Sequence, residues 1–334
     1  MKLDAILDQP GAIDALRRAL AAGRLAHAHL FVGPSGVGKA LAARALAAAV
    51  LCPEANPRDG GCGRCGVCRR IVEGLHPDVR EVGPREEGHR NIRIEEFRET
   101  ILPFLRFAPF EGRAAFLVVR DADVALPPEH AQTANALLKN LEEPRPGVYF
   151  VLTTERAERV LPTLRSRCST LHFGRLSPAS LERILERHGV QASVRATCVA
   201  LADGRAERAL QLARLGGLDE LVGRAAALDA IASDAEPGAI VDAAHAWSED
   251  ERRDELLDVL VLYYRDVALA GLGAPPEKFA LRPAADTIAQ AARRLDPAAA
   301  ARRALLVERV RHDLARSVNA ESALDALLFA LGRA

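Results

Sequence analysis

The sequence lacks an excess of charge of either sign. Lys and Arg together number 45, and so do Asp and Glu, so the chain carries no formal net charge. A dedicated nucleic-acid-binding domain usually has a strongly basic face, and the balance of charge argues against that class of protein. Any contact with DNA is therefore expected to be local or shared with a partner.

Long hydrophobic runs are also missing. The longest apolar stretches, such as residues 45–52, fall short of the roughly 18 consecutive apolar residues that indicate a membrane span. Residues 1–11 lack the charged-then-apolar pattern of a signal peptide. We therefore expect a cytoplasmic protein that makes no contact with a membrane.

The 334 residues exceed one ordinary core, because domains of roughly 100 to 200 residues are usual. In the first half, short β-like runs alternate with helical patterns, which predicts a parallel five-stranded sheet covered by helices on both faces, a three-layer α/β domain. The predicted strands are residues 29–32, 78–82, 115–119, 148–153 and 170–173. The predicted helices between them are residues 39–51, 93–107, 132–143 and 156–165.

The second half is predicted to be all helical. Ser177 and Pro178 provide an N-cap followed by proline at the first helical position, and the sequence beyond is rich in Ala, Leu and Arg with a 3.6-residue period. Glycines at 216 and 217 and the segment 271–276 interrupt this pattern. The expected domains are residues 1–174, a small three-helix lid at 175–217 and a helical bundle at 218–334.

A phosphate-loop pattern follows the first predicted strand and opens a helix. Gly33, Gly36, Gly38 and Lys39 match the pattern, in which backbone N–H groups and the helix N-terminus cradle phosphate oxygens and the lysine adds positive charge. The next position should be Ser or Thr, whose hydroxyl ligates Mg²⁺. Here it is Ala40, whose methyl group cannot coordinate a metal, so the sequence predicts a phosphate cradle without its first magnesium anchor.

The second magnesium anchor is expected directly after strand 115–119. If this segment is aligned with an Asp-Glu-Ala-Asp box, Arg120 occupies the magnesium-binding position and Asp121 the water-activating position. Shifting by one residue gives Asp121 the first role but leaves Ala122 in the second. Neither register supplies both carboxylates, so little or no intrinsic ATP hydrolysis is expected. The alternative is that Asp121 and Asp123 are solvated charges at a strand end.

Four of the six cysteines lie close together in a glycine-rich segment: Cys52, Cys62, Cys65 and Cys68. In a reducing cytosol such a cluster favours a metal over disulfides, and tetrahedral Zn²⁺ is bound by four thiolates. All four ligands are cysteines, and no histidine or carboxylate completes an open coordination position of the catalytic type. The predicted zinc is therefore structural. The alternative for this module, residues 52–68, is free or disulfide-bonded cysteines.

Several motifs in order carry a resemblance to a known family. They are residues 23–33, the phosphate loop, the four-cysteine insertion after its helix, residues 135–144 and residues 164–168. Together they resemble the delta-prime and gamma/tau subunits of the bacterial DNA polymerase III clamp loader, which are AAA+ proteins. The resemblance covers roughly residues 1–215, and the helical remainder agrees in class and length with the oligomerising collar of that family.

The resemblance implies roles for individual residues. Arg167 matches the family's trans-acting arginine finger, which reaches the γ-phosphate of ATP bound by a neighbouring subunit; the alternative is an ordinary helix-end arginine. Thr153 and Thr154 resemble the residue that senses the γ-phosphate, or are strand-end caps. The arginine of the second sensing segment would fall on Glu207, whereas Arg208 follows one position later.

These departures favour a delta-prime type of subunit over gamma/tau. The resemblance implies a component of the DNA-directed DNA polymerase III holoenzyme, in a heteropentamer with gamma/tau and delta subunits that loads the β sliding clamp on primed DNA. ATP is possible in the chain's own pocket without being hydrolysed. The alternatives are an active gamma/tau-type ATPase and a zinc-bearing DNA-binding adaptor.

Overall fold

The computed structural model describes residues 2–56, 59–84, 91–234, 236–314 and 318–334. The chain forms two compact units, Met1–Ser180 with Gly204–Glu207 and Leu181–Asp203 with Arg208–Ala334. The first unit contains the sheet, and the second is helical. The division into three domains that the sequence suggests stays a prediction.

The sheet has five parallel strands in the order β2-β3-β4-β1-β5. The strands are β1 (Ala28–Val32), β2 (Val79–Val82), β3 (Ala115–Val119), β4 (Val148–Thr154) and β5 (Ser169–His172). All five predicted strands therefore form, and their ends are shifted by at most one residue. Strand β3 is buried along its whole length, as expected for a strand covered on both faces.

The helices of the first unit cover both faces of the sheet. They are α1 (Pro10–Ala21), α2 (Lys39–Leu51), α3 (Gly66–Glu73), α4 (Ile94–Glu96), α5 (Leu102–Arg106), α6 (Ala122–Ala125), α7 (Ala131–Glu142) and α8 (Pro162–Arg165), with a π-helical turn at Phe97–Ile101 and 3₁₀ turns at Leu3–Ala5, Pro128–His130 and Ala157–Arg159.

Successive side chains of a strand point to opposite faces. Phe116 and Val118 accordingly pack with α1, α2 and α3, whereas Leu117 and Val119 pack with α7 and the helical segment around Phe97. The predicted three-layer α/β fold with a parallel five-stranded sheet is confirmed.

One predicted helix is wrong. Residues 156–165 do not form a single helix but a 3₁₀ turn at Ala157–Arg159 followed by α8. A residue before proline is disfavoured in the α region, and Leu161, which precedes Pro162, has φ −47° and ψ 130°. The break shortens the helix, and the three residues between α8 and β5 include Arg167.

From Pro178 onward, the regular elements of the described residues are all helical, as predicted. They are α9 (Pro178–Arg187), α10 (Ala192–Ala202), α11 (Ala206–Leu215), α12 (Leu218–Asp234), α13 (Pro237–Ser248), α14 (Arg253–Gly271), α15 (Ala285–Ala292), α16 (Pro297–Leu314) and α17 (Ala320–Arg333), with 3₁₀ turns at Pro276–Lys278 and Arg282–Ala284. Cys198, on α10, is buried. Among the described helices, none has the length and apolarity needed to cross a membrane.

Candidate functional site

The phosphate loop connects β1 to α2 at the carboxyl edge of the sheet. Gly36 and Gly38 have left-handed backbones, with φ of 68° and 101°, and Gly38 caps α2. A side chain at Gly36 would also collide with a neighbouring segment, since an added Cβ would lie 2.8 Å from the Cβ of Glu207. The N–H of Ala206 donates to the carbonyl of Gly36 at 3.0 Å. Residues 204–207 therefore pack directly against the loop.

The side chain of Lys39 folds back onto its own loop. Its Nζ donates to the carbonyl oxygens of Gly33 and Pro34, both at 2.6 Å, and the residue is 5% exposed. Burial lowers the pKa of Lys39, and the surrounding carboxylates oppose that shift. Those carboxylates are Glu155, Asp121, Asp123 and Glu207. The chain itself therefore balances the charge of this lysine.

Hydrogen bonds join the end of β4 to the residues that follow β3, beside the loop. Thr153 Oγ1 accepts from the backbone N–H of Asp121 at 3.1 Å, and Thr154 Oγ1 donates to Asp123 at 2.8 Å. Burial raises the pKa of Asp121, and Lys39 opposes this shift. Asp123 is buried, so it is not a solvated strand-end charge. Both threonine hydroxyls make the contacts of strand-end caps.

Arg120, at one of the two candidate magnesium positions, is paired with a strand β2 side chain. Its Nε lies 3.0 Å from Glu81, which also accepts from Arg44 on α2 at 2.8 Å. Arg120 is 46% exposed and Glu81 is 17% exposed in this pair, so the pair is partly shielded from solvent. At the other predicted anchor, Ala40 offers only a methyl group, whereas the carboxylates of both Asp121 and Asp123 interact with the loop lysine.

The four clustered cysteines converge at the far end of α2. Cys52 follows the last residue of α2, Cys65 caps α3, and Cys68 lies in its first turn. All four Sγ atoms, including that of Cys62, lie within 4.8 Å of one another, and those of Cys52 and Cys65 are 3.7 Å apart. A tetrahedral zinc ion with four thiolates places its sulfurs about 3.8 Å apart. The cluster could hold a metal ion, and its donors fit zinc.

The glycine-rich chain around the cluster permits close packing. A Cβ on Gly61 would lie 2.9 Å from the Sγ of Cys68 and 2.8 Å from the Cβ of Ala48, so no larger residue fits without a shift. Within the predicted module 52–68, residues 57 and 58 lie outside the described residues. The described part brings the sulfurs together against helix α2.

The pKa values of Cys52, Cys62 and Cys68 differ because backbone N–H groups and burial act on these thiols to different extents. The N–H groups of Arg64 and Cys65 donate to Cys62 and lower the pKa of that thiol to about 6. Burial raises the pKa of Cys52 to about 12 and also raises the pKa of Cys68. A metal that binds thiolates must displace these protons. The backbone N–H groups of Cys62, Cys65 and Cys68 each donate, at 3.4 Å, to the Sγ of the preceding cysteine of the cluster. Such contacts are suited to stabilise negatively charged thiolates.

Arg167 lies in the turn between α8 and β5. Its Nη1 donates to the carbonyl of Thr163 at 3.0 Å and to Ser166 Oγ at 3.3 Å, and its Nη2 lies 2.5 Å from Glu142 Oε1. Its side chain is 37% exposed. Burial raises the pKa of the next residue, Cys168, to about 12, which marks that thiol as a packing residue. An ordinary arginine at a helix end makes the same contact to the carbonyl four residues earlier, so this contact does not distinguish the two roles. The finger role stays a prediction.

Sequence reasoning missed three partners of the predicted residues. These are Glu81 beside Arg120, Glu142 beside Arg167, and Glu207 as a residue that covers the phosphate loop. Glu142 lies within the motif 135–144, but nothing in the motif's spacing says which side chain it meets. These partners come from elements distant in the chain, and only a fold can bring them together.

Comparison with known proteins supports the resemblance drawn from the motifs. Residues 8–177, about half of the chain, match the family described as DNA polymerase III, delta subunit. A Bacillus subtilis protein named DNA polymerase III subunit delta′ is 32% identical over 273 residues, which are 79% of this chain and 78% of that protein. The chain belongs to this DNA polymerase III family. The predicted resemblance to delta-prime, with gamma/tau as relatives, is confirmed.

Other relatives in the DNA polymerase III family match shorter parts. The delta′ subunit of Pseudomonas aeruginosa is 33% identical over 58% of this chain and 53% of its own length, so the chain spans about half of that relative. The tau subunit of Escherichia coli is 34% identical over 54% of this chain and 27% of its own. The structure of a Thermotoga maritima gamma-subunit-related protein matches 96% of this chain and 99% of its own length, with 17% identity and a TM-score of 0.41.

Proposed function

We propose that this chain is a delta-prime-type subunit of the DNA polymerase III clamp loader, which takes part in ATP-dependent loading of the sliding clamp and supplies Arg167 to ATP bound by a neighbouring subunit. The observation that carries the proposal is the contrast between an internally closed phosphate loop and an exposed Arg167 in a chain of this family.

The absence of intrinsic hydrolysis follows from the site's chemistry. Magnesium neutralises the charge that develops on the phosphates during phosphoryl transfer, and Ala40 provides no ligand for it. Four carboxylates surround Lys39, and they would repel the phosphates of a nucleotide. We therefore assign Gly33, Gly36, Gly38, Lys39, Asp121 and Thr154 to a vestigial nucleotide site that turns over no ATP.

Arg167 is suited to act on another chain's nucleotide. A planar guanidinium with several N–H donors matches the oxygens of a transferring phosphoryl group, and it stabilises the charge that develops there. Because Arg167 is partly exposed, its remaining donors are accessible to a partner. The same residue would contribute nothing to hydrolysis by the isolated chain.

The partners follow from the family. We propose assembly with gamma/tau and delta subunits in a heteropentamer that acts on the β sliding clamp and on primed DNA in the cytoplasm. Cys52, Cys62, Cys65 and Cys68 would bind a structural Zn²⁺ that fastens the end of α2. The helical region 218–334 would form the oligomerising collar, and 175–217 the lid.

The test uses the assembled complex. Arg167→Ala should leave co-purification of the other subunits intact and lower clamp- and DNA-stimulated ATP turnover by about 10³-fold, the lower end of what an arginine finger contributes. Arg165→Ala is the matched control, since Arg165 is an exposed arginine at the end of α8 that donates to the carbonyl of Ala157. Its turnover should stay at the wild-type level.

Two results would contradict the proposal. If the complex with Arg167→Ala turns over ATP at the wild-type rate, Arg167 is a helix-end residue and not a finger. If the purified chain alone hydrolyses ATP with magnesium, the chain is a gamma/tau-type ATPase.

A further inference from the structure

We propose that Glu142 is the positioning residue of Arg167, holding the guanidinium in the orientation in which it meets the neighbour's phosphate. This inference rests on the proposed function of Arg167. Glu142 Oε1 lies 2.5 Å from Nη2 of Arg167, the shortest distance that the guanidinium makes to its partners.

The guanidinium is held from two sides by different elements. Nη1 donates to Thr163 and Ser166, which belong to α8 and its turn. Nη2 meets Glu142, the last residue of α7. In the described part of the chain, Nε has no acceptor, so Nε–H and one N–H of Nη2 remain for an incoming phosphate. Two anchors fix the plane of the group, whereas the Nη1 contacts alone leave it free to rotate about its bond to the chain.

The backbones on both sides of the contact are fixed by the core. Leu141 precedes Glu142 and is buried, and Leu164 is buried three residues before Arg167. Cys168, which follows Arg167, packs against the same apolar cluster as these leucines. The end of α7 and the turn after α8 therefore hold a constant separation, and the side-chain pair has a defined geometry.

The position of Glu142 is unfavourable without Arg167. A carboxylate at a helix C-terminus meets the negative end of the helix dipole, which destabilises its charged form there. The adjacent Glu143 is also exposed, but it makes no hydrogen bond or ion pair with any described side chain. Of the two glutamates, Glu142 alone is compensated by the arginine, so Glu143 provides a matched control.

The pair is poorly suited to stabilise the fold. The side chains of Arg167 and Glu142 are 37% and 47% exposed, and exposed ion pairs contribute little to stability. Orientation matters more for catalysis, since a misplacement of about 1 Å can cost about 100-fold in rate. The effect of losing Glu142 should therefore appear in turnover and not in the melting temperature.

The experiment compares variants in the reconstituted complex with clamp and primed DNA. Glu142→Ala should lower kcat for ATP by about 10- to 100-fold with KM unchanged, because the group that binds ATP lies in the neighbour. Glu142→Gln keeps an acceptor at the same length and should recover most of the loss. Glu143→Ala should match the wild type. In an Arg167→Ala background, Glu142→Ala should have no further effect, which is the signature of two residues that act as one unit.

The outcomes separate the two proposals. If Arg167→Ala lowers turnover but Glu142→Ala does not, or if Glu142→Ala raises turnover, the positioning role is wrong and the finger stands. If the losses from the two variants multiply in the double variant, Glu142 acts elsewhere and the inference is overturned. If Arg167→Ala has no effect, the proposed function fails, and the positioning role fails with it.

Discussion

The phosphate loop and the turn around Arg167 belong to the same unit, yet they treat their positive charges in opposite ways. Lys39 is 5% exposed and bonds to two carbonyls of its own loop. Arg167 is anchored at both amino groups and leaves donors free at the surface. The first arrangement serves the fold, and the second is available to a partner.

The difference has a physical reason. A buried charge must be paired to avoid a large desolvation cost, so the buried Lys39 ammonium donates to the carbonyls of its own loop. An exposed guanidinium pays little for being partly unpaired. Changes in the loop should therefore alter stability and leave turnover of the complex intact, whereas changes at the turn should do the reverse.

The largest expected effect on stability comes from disrupting the cysteine cluster at the C-terminal end of α2. Metal analysis should find about one zinc ion per chain. Chelation, or Cys65→Ser, should lower the free energy of unfolding by several kcal/mol. Either change would break the link that the metal makes between Cys52 at the end of α2 and Cys65 at the start of α3. Cys198→Ala, at a buried cysteine outside the cluster, is the control. A chain that purifies without metal and melts identically with a chelator would refute the zinc site.

A smaller loss is expected from the strand-end hydrogen bonds beside the loop. Thr154→Val removes the donor to the buried Asp123 carboxylate and should destabilise the chain by about 1 to 3 kcal/mol in chemical denaturation. Thr170→Val, at an exposed position of β5, should stay near wild type. ATP turnover of the complex should be unchanged; a large fall in turnover with normal stability would show that Thr154 senses phosphate.

The smallest effect is expected at the lysine that an active enzyme needs most. Lys39→Met keeps the length of the side chain but removes its charge and both contacts to loop carbonyls. The loss of these bonds should cost about 1 kcal/mol, and turnover of the complex should stay within about twofold of wild type. A collapse of turnover would mean that this pocket binds nucleotide in the working complex and would break the contrast with Arg167.

Much of the fold could be predicted from local signals. Alternating β-like and helical runs located all five strands to within one residue, because a strand buried on both faces is a short apolar run between turn residues. The single helix predicted at 156–165 does not form because Pro162 disfavours the α conformation at Leu161. The ligand set Cys52, Cys62, Cys65 and Cys68 was evident from spacing, and the described structure brings its sulfurs together.

The amino-acid sequence establishes which loop has the phosphate-loop pattern, that Ala40 cannot bind magnesium, which cysteines cluster and which arginine matches the family's finger motif. These are properties of residue type and spacing, and they are local. The tertiary structure alone decided the pairings, Lys39 with its own loop, Glu81 with Arg120, Glu207 against Gly36 and Glu142 with Arg167. Such pairs join residues far apart in the chain, so their existence depends on how packed helices and strands bring those residues into contact.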